Sequence, residues 1–179
     1  IKGTELSKKT LGIVGFGNVG VRLSNLVKGF DMKILVNSKS LESRKSEYPH
    51  VENASFDDLI SKCDIVSFHC KAAADGKPML TKDHFKKMKP TSYIINAARG
   101  NIVDENDLND ALNEGLIAGA AVDVFSKEPA KENILFNNPK AVLTPHIAAS
   151  TTEASIVVAE MVANQISDFL LNGVKKNTV

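Results

Sequence analysis

Six short apolar runs, separated by longer amphipathic stretches, constrain the fold of this chain more than any other feature. They are LGIVG at 11–15, MKILV at 32–36, DIVSF at 64–68, SYIIN at 92–96, AGAAV at 118–122 and AVLT at 141–144. Their apolar character is continuous rather than alternating, as expected for strands of a parallel sheet that is covered on both faces. The segments between them are long enough for crossover helices. The pattern therefore predicts an α/β fold with a doubly wound parallel sheet in three α/β/α layers.

The stretches between the runs carry helix signals. Residues 18–29 have apolar side chains near one face, and both this segment and residues 104–115 end in a glycine, which is a common helix stop. The last helix is predicted to start at STTE, where Ser150 and Glu153 have the spacing of a capping box, and to continue to Gly173.

The composition is that of a globular protein, with 43% hydrophobic and 24% charged residues. The net charge is only +1 and the sequence has no basic run, so it lacks the clustered positive charge that is typical of nucleic-acid-binding proteins. No apolar stretch approaches the roughly 20 residues that a membrane helix needs. Cys63 and Cys70 lack metal-ligand spacing and are expected to be structural thiols. Because the first residues do not form a signal peptide, we expect a cytoplasmic protein that binds no nucleic acid, membrane or metal.

The hexapeptide GFGNVG, which begins at Gly15, has the pattern G-x-G-x-x-G between a predicted strand and a predicted helix. In this context Gly15 makes a tight turn, Gly17 lets a pyrophosphate approach the backbone, and Gly20 permits close packing of helix on strand. The helix N-terminus then receives the diphosphate. A glycine-rich turn without a ligand is the alternative, which the flanking elements disfavour. The segment therefore predicts a dinucleotide site that includes Asn18 and Val19.

The second predicted strand ends differently from most dinucleotide-binding folds. These folds place an acid about 20 residues after the glycine-rich turn, where it binds the adenosine ribose. In the segment VNSKS, Ser38 occupies this place and Lys39 follows it. The repulsion that excludes a 2'-phosphate is then absent and a cation is present, which makes NADP an alternative to NAD. If Ser38 instead binds an NAD ribose, Lys39 is an ordinary solvated charge.

Three residues after predicted strands are candidates for catalysis: Arg99, Glu128 and His146. They follow the carboxyl ends of their strands, where ligands bind in open α/β sheets. The planar fork of Arg99 suits a carboxylate. His146 suits acid–base catalysis near neutral pH, and Glu128 would orient the imidazole and favour its protonated form. Taken singly, Arg99 could be an ion-pair partner in a loop, Glu128 a surface acid and His146 a histidine in a turn. Their shared position after the strand ends favours a common site.

Four segments, in this order, resemble the motifs of the D-isomer-specific 2-hydroxyacid dehydrogenases: TLGIVGFGNVG, NAARGNIVDE, GAAVDVFSKEP and LTPHIAAST. The resemblance implies a Rossmann-type fold, with residues 1–179 as the dinucleotide-binding domain and a separate substrate domain outside this sequence. It also implies that Arg99, Glu128 and His146 are the catalytic residues. Asp123 is then expected near the nicotinamide carboxamide.

Four further residues beside the strand ends are candidate cofactor contacts: His69, Cys70, Ala97 and Ala98. The chain departs from the family at Lys71, where the family commonly has proline. We therefore expect a different shape for the loop against the cofactor.

The segment STTEA after His146 resembles that of the D-3-phosphoglycerate dehydrogenases, which oxidise 3-phosphoglycerate to 3-phosphohydroxypyruvate in serine biosynthesis. Formate dehydrogenases, which have glutamine at the position of Glu128, are disfavoured. An NADP-linked glyoxylate or hydroxypyruvate reductase and a dinucleotide-sensing, corepressor-like binding module are the alternatives. The resemblance further implies a homodimer formed through this domain. Weak activity is expected of the domain alone, because closure of two domains orients the reactants and excludes water.

Overall fold

A computed structural model describes residues 3–177, which form two compact units, one ending at Pro145 and the other beginning at His146. The strands are β1 (Thr10–Val14), β2 (Lys33–Asn37), β3 (Glu52–Asn53), β4 (Ile65–Phe68), β5 (Tyr93–Asn96), β6 (Gly119–Val122) and β7 (Ala141–Leu143). The α-helices are α1 (Asn18–Leu26), α2 (Lys39–Glu42), α3 (Phe56–Lys62), α4 (Lys82–Phe85), α5 (Glu105–Glu114) and α6 (Thr152–Asn172). Short 3-10 helices lie at Val27–Phe30, Lys45–Glu47, Gly100–Ile102 and Ile134–Asn137.

The strands form one parallel sheet in the order β3-β2-β1-β4-β5-β6-β7. The chain moves outward from β1 to β3 and then returns to place β4 on the other side of β1. The strand order therefore reverses between β1 and β4, and such a switch point is where α/β sheets bind ligands. The doubly wound α/β fold predicted from the sequence is confirmed.

Six of the seven strands match the predicted apolar runs to within about two residues at each end. The seventh, β3, was not predicted because its two residues, Glu52 and Asn53, are polar. They are aligned with Leu35 and Val36 of β2 in the sheet, so the neighbouring strand rather than the local sequence makes this segment extended.

Around β1 the sheet is covered on both faces, as the continuous apolar run of this strand predicts. For the other half of the sheet the prediction is wrong on one face, because Tyr93 and Ile95 of β5 and Val142 of β7 are 51%, 37% and 68% exposed. Consecutive residues of β1 belong to different core clusters: Ile13 packs with Phe16 and Leu41, whereas Val14 belongs to the cluster that includes Leu59 of α3 and Leu108 of α5. Successive side chains of a strand point to opposite faces. Each face of β1 therefore has its own hydrophobic core, which fixes the strand that leads into the glycine-rich turn.

The helix ends partly follow the predictions. The predicted helix 18–29 is α1 followed by a 3-10 turn, whereas α5 and α6 end at Gly115 and Gly173, whose positive φ angles of 74° and 66° suit glycine. The predicted capping box at Ser150 is wrong by one residue. The hydroxyl of Thr151 caps α6 by accepting a hydrogen bond from the backbone N–H three residues later.

The second unit contains α6, and none of the residues in its most apolar 18-residue stretch is buried. By length and composition alone, this helix could cross a membrane. The expectation that no apolar stretch approaches the length of a membrane helix is therefore wrong. Core helices of globular proteins meet the same criterion, which makes it weak evidence for a membrane segment.

Cys63 and Cys70 are free thiols, and Cys63 is fully buried at the end of α3. A Cβ atom added to Gly12 of β1 would lie 2.8 Å from the Cys63 sulfur, so the thiol fills the contact between α3 and β1. Burial raises the pKa of this thiol to about 12 from an ordinary value of 9.0. Cys63 is a structural thiol, as predicted.

The free energy of unfolding should therefore fall between pH 9.0 and about 12, by at most about 1.4 kcal/mol per pH unit from this group. In this window the unfolded thiol has lost its proton while the folded one retains it, so rising pH favours unfolding. Urea denaturation at several pH values would measure the slope. Cys63→Ala should be less stable but should lose this part of the slope; parallel curves for the two proteins would contradict the assignment.

Candidate active site

The glycine-rich turn joins β1 to α1 at the switch point, and its three motif glycines have different surroundings. A Cβ atom at Gly15, where φ is 95°, would lie 2.6 Å from the carbonyl oxygen of His69. At Gly20 it would lie 2.3 Å from the carbonyl oxygen of Gly15. At Gly17 it would meet no atom within 4 Å. Gly15 and Gly20 are therefore required by packing, whereas Gly17 borders open space.

The N-terminus of α1 has the features of an anion site. Gly17 is its N-cap, no side chain caps it, and its first turn contains no acidic residue. The first N–H groups of a helix lack partners within the helix and lie at the positive end of its dipole. This end of α1 can thus hold a diphosphate without competition from a carboxylate of its own first turn.

His69 follows β4 and lies beside the glycine-rich turn. Its N–H donates to the carbonyl of Val14 at 2.7 Å, and its Nε2 lies 2.9 Å from the Ser67 hydroxyl. Burial lowers the pKa of His69, so the neutral imidazole predominates at neutral pH. The structure thus brings His69 and Cys70 against Gly15; their contact with a cofactor stays a prediction.

Ser38 directly follows β2, at the place where the sequence suggested a ribose contact. Its hydroxyl lies 3.0 Å from the hydroxyl of Ser40, and a cavity here is lined by Ser38, Lys39 and Glu42, among others. Lys39 is exposed. The cavity therefore offers a cation and a carboxylate together.

The loop after β5 carries Arg99 and is shaped by the buried side chain of Asn96. The Asn96 amide nitrogen donates to the carbonyl of Arg99 at 3.0 Å, and its oxygen accepts from the N–H of Ala98 at 3.2 Å. This clamp fixes Ala97, Ala98 and Arg99 at the strand end. The Arg99 side chain is exposed and donates to the carbonyl of Ala98 at 2.6 Å.

Asp123 follows β6 and is 6% exposed. The hydroxyl of Thr144, which follows β7, donates to the Asp123 carboxylate at 2.5 Å. The backbone N–H of Asp123 donates to the carbonyl of Asn96 at 2.9 Å. Asp123 thus ties together the ends of three neighbouring strands. Its carboxylate has a defined position at the edge of the sheet.

Glu128 is exposed on the loop that follows Asp123. Its carboxylate accepts a hydrogen bond from the N–H of Phe125 at 2.9 Å, and the peptide bond to Pro129 is cis. A Cβ atom on Gly100 would lie 1.9 Å from the carbonyl carbon of Phe125. The segments that carry Arg99 and Glu128 are therefore in backbone contact through Gly100.

His146 is the first residue of the second unit, and its side chain is exposed. Its φ angle of 57° lies in the left-handed region, which costs an ordinary L-residue roughly 1–2 kcal/mol. Residues in such conformations cluster at functional sites. Within residues 3–177, no group of three or more His, Cys, Asp or Glu side chains could hold a metal ion.

Sequence reasoning missed three residues that shape these loops: Asn96, Gly100 and Thr144. Asn96 offered a usable signal, because a polar residue that ends a buried apolar run must find hydrogen-bond partners. The contacts of Gly100 and Thr144 depend on segments more than twenty positions away, and no local pattern encodes them.

A parallel sheet with a glycine-rich turn and an uncapped helix N-terminus at its switch point defines the class of dinucleotide-binding domains. Residues 1–148 match the family model of the D-isomer specific 2-hydroxyacid dehydrogenase, NAD binding domain. The chain belongs to the D-isomer specific 2-hydroxyacid dehydrogenase family, as its NAD-binding domain. The resemblance inferred from the sequence is confirmed, and NAD is the cofactor of this family's domain.

The curated relatives include a glyoxylate reductase of Thermococcus litoralis, 40% identical over 177 residues, which cover 99% of this chain and 54% of the relative. A D-3-phosphoglycerate dehydrogenase of Synechocystis sp. is 38% identical over 169 residues, covering 94% of this chain and 30% of that protein. The chain thus spans about half or less of these relatives.

Solved structures agree in fold. A glyoxylate reductase from Paecilomyes thermophila has a TM-score of 0.87 and 30% identity, and the match covers 97% of this chain and 53% of that one. The NAD-dependent formate dehydrogenase from Staphylococcus aureus in complex with NAD has a TM-score of 0.86 and 27% identity, covering 97% and 52%.

Proposed function

We propose that this chain is the dinucleotide-binding half of an oxidoreductase that transfers a hydride between NAD and a D-2-hydroxy acid. The observation that carries the proposal is the set of groups at one edge of the sheet. The glycine-rich turn follows β1, His69 follows β4, Arg99 follows β5 and Asp123 follows β6. NAD, when bound, supplies the hydride acceptor for oxidation.

Each catalytic role is assigned to a residue suited to it. Arg99 binds the substrate carboxylate through its guanidinium, which stands exposed on a loop fixed by Asn96. His146 accepts the hydroxyl proton during oxidation and returns it during reduction. Glu128 orients the imidazole, a role supported by the hydrogen bond from Phe125 that fixes its carboxylate. Asp123 contacts the nicotinamide carboxamide.

The substrate we propose first is 3-phosphoglycerate, oxidised to 3-phosphohydroxypyruvate in serine biosynthesis. Reduction of glyoxylate or hydroxypyruvate is the second candidate, because a relative named glyoxylate reductase is 40% identical to this chain. The relatives are about twice as long or longer, so we propose that a substrate domain lies in the remaining half. We further propose that the enzyme is a cytoplasmic homodimer.

Steady-state assays of the full-length protein test this function. We expect turnover with 3-phosphoglycerate and NAD, or with glyoxylate and NADH, and weak or no turnover by the 179-residue chain alone. That chain should still bind NADH in a calorimetric titration, since the glycine-rich turn is complete. Tight NADH binding by a full-length protein that turns over neither substrate would favour a binding module instead.

Ser38→Asp should raise the preference for NADH over NADPH by about 10-fold or more. A carboxylate at the end of β2 repels a 2'-phosphate, and the difference corresponds to about 1.4 kcal/mol. Parallel calorimetric titrations with NADH and NADPH at fixed pH and salt measure it. Ser43→Asp, at an exposed position after α2, is the matched control. Equal preferences in the two variants would contradict the placement of Ser38 at the ribose.

A further inference from the structure

We propose that Glu105 is a positioning residue, whose carboxylate fixes the loop that carries Glu128 relative to the segment that carries Arg99. The inference rests on the proposed function, because it matters only if Glu128 and Arg99 act in one site. Glu105 acts on Glu128 indirectly, through hydrogen bonds to Ser126 and Asn133 of the Glu128 loop.

Both carboxylate oxygens of Glu105 are engaged by this loop. Oε1 accepts a hydrogen bond from the N–H of Ser126 at 2.6 Å, and Oε2 accepts from the Ser126 hydroxyl at 2.9 Å and from the side-chain amide of Asn133 at 2.8 Å. Hydrogen bonds to an ionised acceptor are shorter and stronger than those between neutral groups. One carboxylate thus holds the loop on either side of Glu128.

The position of Glu105 in the helix does not explain these contacts. Glu105 is the first residue of α5, where an acid is favoured by the helix dipole. The N-cap function there belongs to Asp104, whose carboxylate accepts from the N–H groups of Asn106 and Asp107 at 3.0 Å. The Glu105 side chain instead contacts residues 21 and 28 positions further along the chain.

Two consecutive peptide groups, Val124–Phe125 and Phe125–Ser126, are the place where these contacts meet. The N–H of Phe125 donates to the Glu128 carboxylate, the N–H of Ser126 donates to Glu105, and Gly100 lies against the Phe125 carbonyl. Because Glu105 lies six positions after Arg99, one short segment carries the arginine and also binds Ser126, the residue next to the Phe125 N–H that donates to Glu128. Loss of the Glu105 contacts should therefore move Glu128 relative to Arg99.

Glu105→Gln in the full-length enzyme tests the inference, and Glu114→Gln is the matched control. Glu114 ends the same helix and pairs at 3.2 Å with Lys82, which is not a residue of the Glu128 loop. Glutamine replaces an acceptor oxygen with a donor, so at least one of the three hydrogen bonds is lost. We expect kcat to fall about 10- to 100-fold with the Kd for NADH unchanged, and a changed pH profile of kcat. Hydrogen exchange at the Ser126 amide should become faster.

Two results would overturn the inference: kcat and pH profiles that match those of Glu114→Gln, or unchanged exchange at Ser126. Thermal melting of both variants separates these effects from a general loss of stability. If the wild-type enzyme has no turnover, the proposed function fails. The exchange measurement on the same proteins still decides whether Glu105 orders the loop, because it requires no substrate.

Discussion

Replacement of His146 by asparagine is expected to lower kcat of the full-length enzyme about 10²- to 10⁴-fold, the usual contribution of a general acid or base. The Kd for NADH should not change, because the glycine-rich turn belongs to another part of the chain. Asparagine is the informative substitution, since it tolerates the left-handed backbone of His146, where φ is 57°. The change therefore removes the imidazole and retains the backbone.

His146→Ala is the companion variant. It should lose the same activity, and it should also be less stable than the asparagine variant by about 1 kcal/mol, because alanine is less tolerant of this conformation. Steady-state kinetics and urea denaturation of the two proteins separate chemistry from backbone strain. Activity retained by His146→Asn would remove His146 from the mechanism.

Gly17→Ala and Gly20→Ala should affect different properties, although only three positions separate the two residues: the first should lower the affinity for NADH and the second the stability of the fold. Gly20→Ala should destabilise the fold by about 1–3 kcal/mol, because its Cβ would lie 2.3 Å from a backbone oxygen of Gly15. Gly17→Ala should leave stability nearly unchanged, since its φ of −82° is accessible to any residue and no atom lies within 4 Å. Its affinity for NADH should instead fall about 10-fold or more, or 1.4 kcal/mol, because the methyl group enters the path of the pyrophosphate.

Urea denaturation measures the stability of each variant, and calorimetric titration measures its affinity for NADH. Each variant is the control for the other, because both add one methyl group to the same turn. A Gly17→Ala protein that binds NADH as tightly as the wild type would contradict the assignment of this turn to the pyrophosphate.

Six of the seven strands could be predicted from the sequence, because the strands of a parallel sheet leave continuous apolar runs. The sequence-based prediction failed where a segment is ordered by a neighbouring strand, and where two adjacent residues could both cap a helix. β3 is extended because β2 lies beside it, and Thr151 caps α6 although Ser150 has equal chemistry. Helix α3 was not assigned, yet Ser55 caps it and Asp58 lies three residues later, which is a readable start signal.

The strand-end positions of the candidate site were predictable for a related reason. Parallel strands place their carboxyl ends at one edge, so Ser38, His69 and Asp123 could be assigned there from the order of strands and loops. The orientation of the side chains could not. The clamp made by Asn96 and the contacts of Glu105 join segments that the sequence separates, and their geometry exists only once the sheet has formed.

The solvent exposure of α6 affects the colloidal behaviour of the chain in solution. Leu170 and Leu171 are 74% and 78% exposed, and Met161 and Phe169 are each 50% exposed. Exposed apolar side chains in such number favour self-association. A purified sample of the 179-residue chain should therefore precipitate more readily as its concentration rises. A shorter chain ending after Thr151 would keep every candidate site residue and would be the better sample for titration with NADH.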